Sequence, residues 1–371
     1  MKTNAIGVIF TNIGDTLLRD MTTRRCMGSV PFGGRYRLID FPLSAMVHAG
    51  ISKVGITTRH NYRSLMDHLG SGKPWDLSRK TGGIYLFPPF SNLESGENTT
   101  RLSELAAMIP FLENSTEDYV ICSDCDAVYN FDMNDILNAH IESGADITFG
   151  YVHGVLPAPS GRRMVLNMDE NQKVQEILIQ PALTEECDYA VNVTVHNRKL
   201  LIQMVKDALS RNHTTITRDV YQRQVANYNM RGYAIGGYVR VIDSVVTYLR
   251  ASQDLLKDEV RDSLFCPDRP ILTKERDDAP TRYAIGSKVT GSVVADGCVI
   301  EGEVTNCVLF RGVKVEKGAK LSNCVIMQDS VISKDSKLSY VITDKNVEIT
   351  PTRTLMGFES YPAYIGKNSI V

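Results

Sequence analysis

The sequence predicts an α/β domain with a mostly parallel sheet, followed by a parallel β-helix of six-residue repeats. Three observations predict it. Up to about residue 280, short continuous apolar runs alternate with helical patterns. Beyond that point, glycines and small aliphatic residues return every five or six positions. Between the two textures, residues 261–283 carry three prolines and many charges without a period, which reads as an extended connector. The expected division is therefore 1–240, 241–283 and 284–371. A chain of 371 residues is long enough for two or three domains of roughly 100–200 residues each.

Taken in order, Ala5–Phe10, Lys53–Thr58, Asp118–Ser123 and Ala145–Val152 read as buried strands. Ser103–Leu112 and Met133–Ser143 have helical spacing. Arg163–Ile179 holds two strand-like runs around Asp169-Glu170-Asn171, a hairpin signal. Val241–Val260 repeats apolar residues at three and four, the mark of a helix. In the last part Gly286, Gly291, Gly297 and Gly302 recur at steps of 5, 6 and 5, and Val313, Ala319, Val325 and Val331 at steps of 6. Dyads such as Val299-Ile300, Val325-Ile326 and Val341-Ile342 accompany them. A six-residue return places one small aliphatic side chain inward on each of three faces. An antiparallel sheet would alternate at two without that return.

Composition narrows the function. Apolar residues make up 43% and charged residues 23%, enough for a sizeable core and against wholesale disorder. The net charge of −2 and pI of about 6.4 leave no broad basic footprint for nucleic acid or an anionic membrane. No apolar run nears the roughly 18 residues of a membrane span. One Lys and the short run Ala5–Phe10 make a poor signal peptide. Eight cysteines are sparse at this length and suggest a reducing, cytoplasmic setting. Cys122 and Cys125 form a C-x-x-C, but no second pair completes a zinc site, so two small residues at a strand end is the expectation.

The segment Val30–Gly50, VPFGGRYRLIDFPLSAMVHAG, is the most specific. With Gly70–Gly83, Leu86–Pro89 and the hexapeptide tail, it resembles bacterial glucose-1-phosphate adenylyltransferase over nearly the whole chain. The resemblance implies a Rossmann-like nucleotidyltransferase domain of the GT-A-like kind, followed by a left-handed β-helix. It also implies attack of a sugar phosphate on the α-phosphate of ATP, with charge neutralised by Mg²⁺, Arg and Lys.

Measured against that family's motifs, this chain has lost chemistry at each one. The loop after the first strand, G-G-x-G-T-R-L in catalytic members, is Asn12–Leu18 here; Gly14 remains, Asp15 faces the phosphates and Leu17 replaces the arginine. The A-K-P lysine falls on Met27; Arg24 and Arg25 are near, but a displacement of two residues points a side chain elsewhere. The nucleotide run falls on Thr100–Glu104. The metal carboxylate survives as Asp126, while Asp124 is expected on the opposite side of its strand. The second metal carboxylate falls on Val241, with Asp243 two residues late. The sugar-phosphate lysine is Gln180, and Ala190–Thr194 replaces S-M-G-I-Y.

This is the pattern of the family's second, regulatory D-type subunit, which accompanies a catalytic C-type chain. The resemblance implies a catalytically inactive or very weak chain, a heterotetramer with the catalytic homologue or a homo-oligomer alone, no tightly bound cofactor, and Mg²⁺ held with the catalytic partner. It also implies an anionic metabolite effector at Arg35, Arg37, Arg59 and Arg63, with His60 among them. The residues alone leave Arg37 free to pair with Asp40, and Arg59 and Arg63 to be solvated. Two other readings stay open: an active nucleotidyltransferase with rearranged ligands, and a hexapeptide acyltransferase. The last needs a histidine near the repeats, and none follows His213.

Overall fold

A computed structural model of the chain describes residues 3–13, 17–59, 61–88, 100–156 and 163–371. The first strand, β1 (Ala5–Phe10), is buried at all six positions. A short hairpin follows, β2 (Pro31–Phe32) and β3 (Tyr36–Arg37), behind the four-residue α1 (Arg19–Thr22). Then come α2 (Asp40–His48), β4 (Lys53–Thr57), α3 (Arg63–Leu69) and β5 (Gly83–Phe87). The expected helix over Ser103–Leu112 is two pieces, α4 (Arg101–Ala107) and α5 (Ile109–Glu113). Pro110 lacks an N–H and cannot continue the α4 ladder.

The chain continues through β6 (Tyr119–Asp124), β7 (Ala127–Tyr129) and α6 (Met133–Ser143). α6 matches its expected span to the residue. Asp132 accepts the N–H of Asn134 at 2.8 Å as its N-cap, and Gly144 closes it at φ 57°. Its buried residues Met133, Ile136, Leu137 and His140 share one face. After β8 (Ile147–Val155), strands β9 (Met164–Met168) and β10 (Val174–Ile179) form the expected antiparallel hairpin. The twelve-residue β11 (Glu186–Asn197), α7 (Arg198–Ser210), β12 (Met230–Ala234) and β13 (Val239–Val241) complete the domain.

The main sheet has nine strands, ordered β10-β9-β11-β6-β1-β4-β5, with β8 beside β11 and β12 beside β8. It is mixed rather than mostly parallel. β6, β1, β4 and β5 run parallel, whereas β11 is antiparallel to β6 and β8. The expected helix over Val241–Val260 is also two, α8 (Val245–Asp254) and α9 (Asp258–Leu264), and Val241 itself ends β13. Ser244 and Thr247 form the capping box that starts α8.

From β14 (Arg282–Tyr283) to β28 (Ala363–Ile365) the chain coils into a left-handed β-helix of three parallel five-stranded sheets. The coil therefore begins two residues before the expected boundary. Registers Val299↔Lys314, Lys314↔Val331 and Val331↔Glu348 set coils of 15, 17 and 17 residues. Inward stacks such as Ile300–Val315–Ile332–Ile349 are fully buried. Val313, Ala319 and Val325 point inward as their spacing predicts, but Val331 is half-buried and Ile332 takes the inward place. Corners fall on Asn306, Asn323, Asp329, Asp335 and Asn346 at φ 52–60°, a region that Asn and Asp tolerate best among residues with a Cβ.

The two parts share one core. Val308, Phe310, Met327 and Ile342 of the coil are buried in the same cluster as Phe32, Phe41 and Tyr248. Across this junction Arg25 meets Asp344 at 2.7 Å, both 3–4% exposed. The Gly33-Gly34 turn lies against the coil. Gly34 has φ 84°, and a Cβ there would sit 3.4 Å from Ala295 Cβ. That turn is what brings Arg35 and Arg37 to the junction. Among the described residues no helix is long and apolar enough to cross a membrane.

Candidate functional site

Two places in this fold are built for chemistry. The first is the carboxyl end of the sheet between β1 and β6, where strand order reverses and α/β sheets bind their ligands. Phe10 and Asp124 are opposite one another there. Asp124 ends β6, and Asp126 follows a single-residue turn into β7. Both carboxylates stand at this end of the sheet, two residues apart: burial and Arg101 dominate at Asp124, and Asp126 and Arg163 act on it more weakly. Asp243 belongs to this end as well, because β13 pairs with β7 and Ile242 N–H donates to the Asp126 carbonyl at 2.7 Å.

Each carboxylate already has a partner. Arg101, from the run expected to hold the nucleotide, forms a forked ion pair with Asp124. Arg163 Nη2 lies 2.8 Å from Asp126 Oδ2, which also accepts Asn192 Nδ2 at 3.0 Å. Asn192 stands at φ 60°, at the irregularity in β11 between Ala190 and Thr194. Asp243 accepts the Thr247 hydroxyl at 3.1 Å; burial raises its pKa, and Arg163 opposes that. Burial pushes the Cys122 thiol up to about 12, leaving it inert. All eight cysteines are free. The hollow bounded by Arg101, Asp124 and Asn192 measures about 20 Å³, room for about one water.

The positions read from sequence as vacated do not gather into a cation site. Met27 and Val241 are buried in the core, and Leu17 is half-buried. Gln180 is exposed beyond β10 at φ 56°, and its N–H donates to the Arg163 carbonyl at 2.9 Å. Arg25 is consumed by Asp344 and is lost to the cleft. Gly14, Asp15 and His60 lie outside the described residues. Among the described residues no group of three or more His, Cys, Asp or Glu side chains is arranged to hold a metal ion. Mg²⁺ needs carboxylates free of another cation, and here the permanent charge of Arg163 lies 2.8 Å from Asp126 and repels it, so the residues present do not fit that ion.

The second place is a cavity of about 190 Å³ at the domain junction. Arg35, Arg37, Lys274, Arg276, Arg311 and Lys345 line it, with His68 and no carboxylate. They come from β2–β3, the connector and the β-helix. Arg35 lies 5.7 Å over the Tyr36 ring. Arg37 Nη1 donates to the Ser64 hydroxyl at 2.9 Å, and the Arg37 backbone N–H donates to Asp40 at 2.9 Å. Arg311 is 4% exposed, its Nε has no hydrogen-bond partner among the described residues, and Asp278 stands 3.5 Å away. Burial, then Arg37 and Arg25, pull Lys345 down to about 7. Such crowded like charge is relieved by a bound anion, which guanidinium groups grip through two parallel N–H bonds.

Sequence reasoning placed Arg35 and Arg37 here and missed the other four, which have no common motif. It also placed Arg59 and Arg63 here, and the structure corrects both. Arg59 turns to Glu104 at 2.7 Å, on the far side of β4, and Arg63 is exposed at the start of α3 without lining the cavity. Trp75 is fully buried against His68, a packing role.

The fold and its cleft define a nucleotidyl transferase domain carried on a hexapeptide β-helix. The family description "Nucleotidyl transferase" matches residues 14–238, and "GlmU-like, C-terminal hexapeptide" matches 280–361. The chain is 37% identical to glycogen biosynthesis protein GlgD of Bacillus subtilis (strain 168), over 98% of this chain and 96% of that one. It is 35% identical to the GlgD protein of Geobacillus stearothermophilus, over 86% of this chain and 83% of the other. It is 30% identical, over the same shares, to the glucose-1-phosphate adenylyltransferase of that bacterium. The chain belongs to the glucose-1-phosphate adenylyltransferase family and is of its GlgD type.

Proposed function

We propose that this chain is a regulatory, non-catalytic subunit acting in bacterial glycogen biosynthesis in the cytoplasm. It assembles with a homologous catalytic glucose-1-phosphate adenylyltransferase chain as a heterotetramer and sets that chain's response to an anionic metabolite. The reaction, ATP and glucose 1-phosphate to ADP-glucose and diphosphate, takes place on the partner, which also holds the Mg²⁺. The observation that carries this reading is the state of the cleft. Its sheet is in place, yet Arg101 and Arg163 pair with the carboxylates that would face metal and nucleotide. Geobacillus stearothermophilus has both kinds of chain, which fits a two-chain system.

An inactive homologue alters an active one only by binding its active and inactive states unequally. The junction cavity suits that task, because an anion there touches both domains at once. Its volume matches about six waters, room for one or two phosphoryl groups. Gel filtration and turnover of the chain mixed with a catalytic homologue test the proposal. A mixed complex with a shifted anion-activation curve is expected. A mixture neither associated nor differently regulated from the catalytic chain alone refutes it.

A further inference from the structure

Two buried carboxylates in the cleft, Asp126 and Asp243, are 4% and 5% exposed. Asp126 Oδ1 and Asp243 Oδ2 have no hydrogen-bond partner among the described residues. Buried carboxylates without compensation are costly, and among the described residues the cation paired with Asp126 and acting on Asp243 is Arg163. Its side chain is 2% exposed and lies 2.8 Å from Asp126, within electrostatic reach of Asp243. Its carbonyl is held by Gln180, so the residue is fixed at the head of β9 by backbone and side chain together. Arg163 Nη1 is likewise without a hydrogen-bond partner among the described residues. Among the described residues, the arrangement is two acids, each with one oxygen lacking a hydrogen-bond partner, served by the monovalent cation Arg163.

We infer that the Arg163 guanidinium occupies the place a divalent cation would take against Asp126 and Asp243, so that the chain carries its counter-ion covalently and a divalent site emerges only when Arg163 is removed. A guanidinium has five donors, no acceptor and a permanent charge. It satisfies a carboxylate and repels a metal ion from the same oxygen. Arg101 on Asp124 repeats the device one step along the sheet. The inference holds whether or not the chain has a catalytic partner, so its failure would leave the regulatory proposal standing.

The test uses the full chain and Mn²⁺ as probe, with free Mn²⁺ followed by electron paramagnetic resonance and folding by thermal melting. Wild type should leave the Mn²⁺ signal and its own melting point unchanged. Arg163→Met should melt lower in the absence of metal, bind one Mn²⁺ at least about tenfold more tightly than wild type, and regain stability on adding it. Arg163→Met combined with Asp126→Asn should lose that gain. Wild type binding Mn²⁺ as tightly as Arg163→Met would overturn the inference, as would a folded Arg163→Met that binds none. If Arg163→Met does not fold, the double variant decides. A soluble double variant shows that the bare carboxylates were the fault and supports the inference. An insoluble one makes Arg163 a packing residue and overturns it.

Discussion

Replacing Arg25 with alanine should weaken the junction of the two domains without separating them. The pair with Asp344 is buried, and one Arg25 nitrogen reaches both carboxylate oxygens, at 2.7 and 2.9 Å. Asp344 also accepts the Tyr364 hydroxyl at 2.7 Å and the Lys345 N–H at 2.6 Å. Removing one partner of a buried pair costs about 3–5 kcal/mol. Because two bonds to Asp344 survive, the lower end is expected, about 3 kcal/mol. For a chain of 371 residues melting as one unit that lowers the melting temperature by roughly 4 °C. Since Phe310 and Met327 share a core with Phe32 and Phe41, the melt should stay one transition. Scanning calorimetry of Arg25→Ala, beside Arg25→Met with Asp344→Leu, measures this, and the apolar pair should lose less than Arg25→Ala alone. An Arg25→Ala chain melting within about 1 °C of wild type would refute the reasoning.

Four further outcomes follow from the junction. Arg35→Ala should leave assembly intact, since an exposed cation adds little to packing; it should raise the anion concentration needed to activate the mixed enzyme about fivefold or more, and an unchanged curve removes Arg35 from the site. Sulfate keeps its charge between pH 6 and 8.5, so its binding reports the protein's own titration. Lys345, pulled down to about 7 by burial and by Arg37 and Arg25, loses its proton as pH rises through that value. Asp344 and Lys367 also face it, while His68 has a lowered pKa and adds little charge in that range. A bound anion returns the proton, so calorimetry should find sulfate about tenfold weaker at pH 8.5 than at pH 6, with a flatter profile in Lys345→Met. Equal affinity at both values sinks this argument. The same depression makes the fold gain stability from Lys345 as pH rises from about 7 towards its ordinary value of 10.5. Truncation after Arg282 should leave the first domain insoluble and unable to join its partner, as it uncovers the apolar face shared with the coil; a soluble, assembling fragment would contradict that.

Much of the fold is legible locally. β1 and α6 follow their apolar patterns to the residue, and the six-step return announces the β-helix although its coils take 15–17 residues. The split of α4 from α5 was readable at Pro110 and was missed. The antiparallel half of the sheet was not readable, because alternation within β11 says nothing about the direction of its neighbours. The site was legible mainly as absences, at Leu17, Met27, Gln180 and Val241. What fills the cleft was hidden. Arg163 precedes an ordinary hairpin and meets Asp126 only through the fold, and Arg59 looked free until α4 brought Glu104 to it. Lys274, Arg276, Arg311 and Lys345 lie on three segments that only the packing of the connector and the coil against the first domain brings together.

The central claim is that this chain does no chemistry of its own. The direct measurement is ADP-glucose formation by the purified chain alone, with saturating ATP, glucose 1-phosphate and Mg²⁺, continued until a catalytic homologue at equal concentration has completed many turnovers. No product above the protein-free blank is expected. Sustained, Mg²⁺-dependent turnover by this chain, abolished by Asp126→Asn, would contradict it and restore the reading of an active transferase with rearranged ligands.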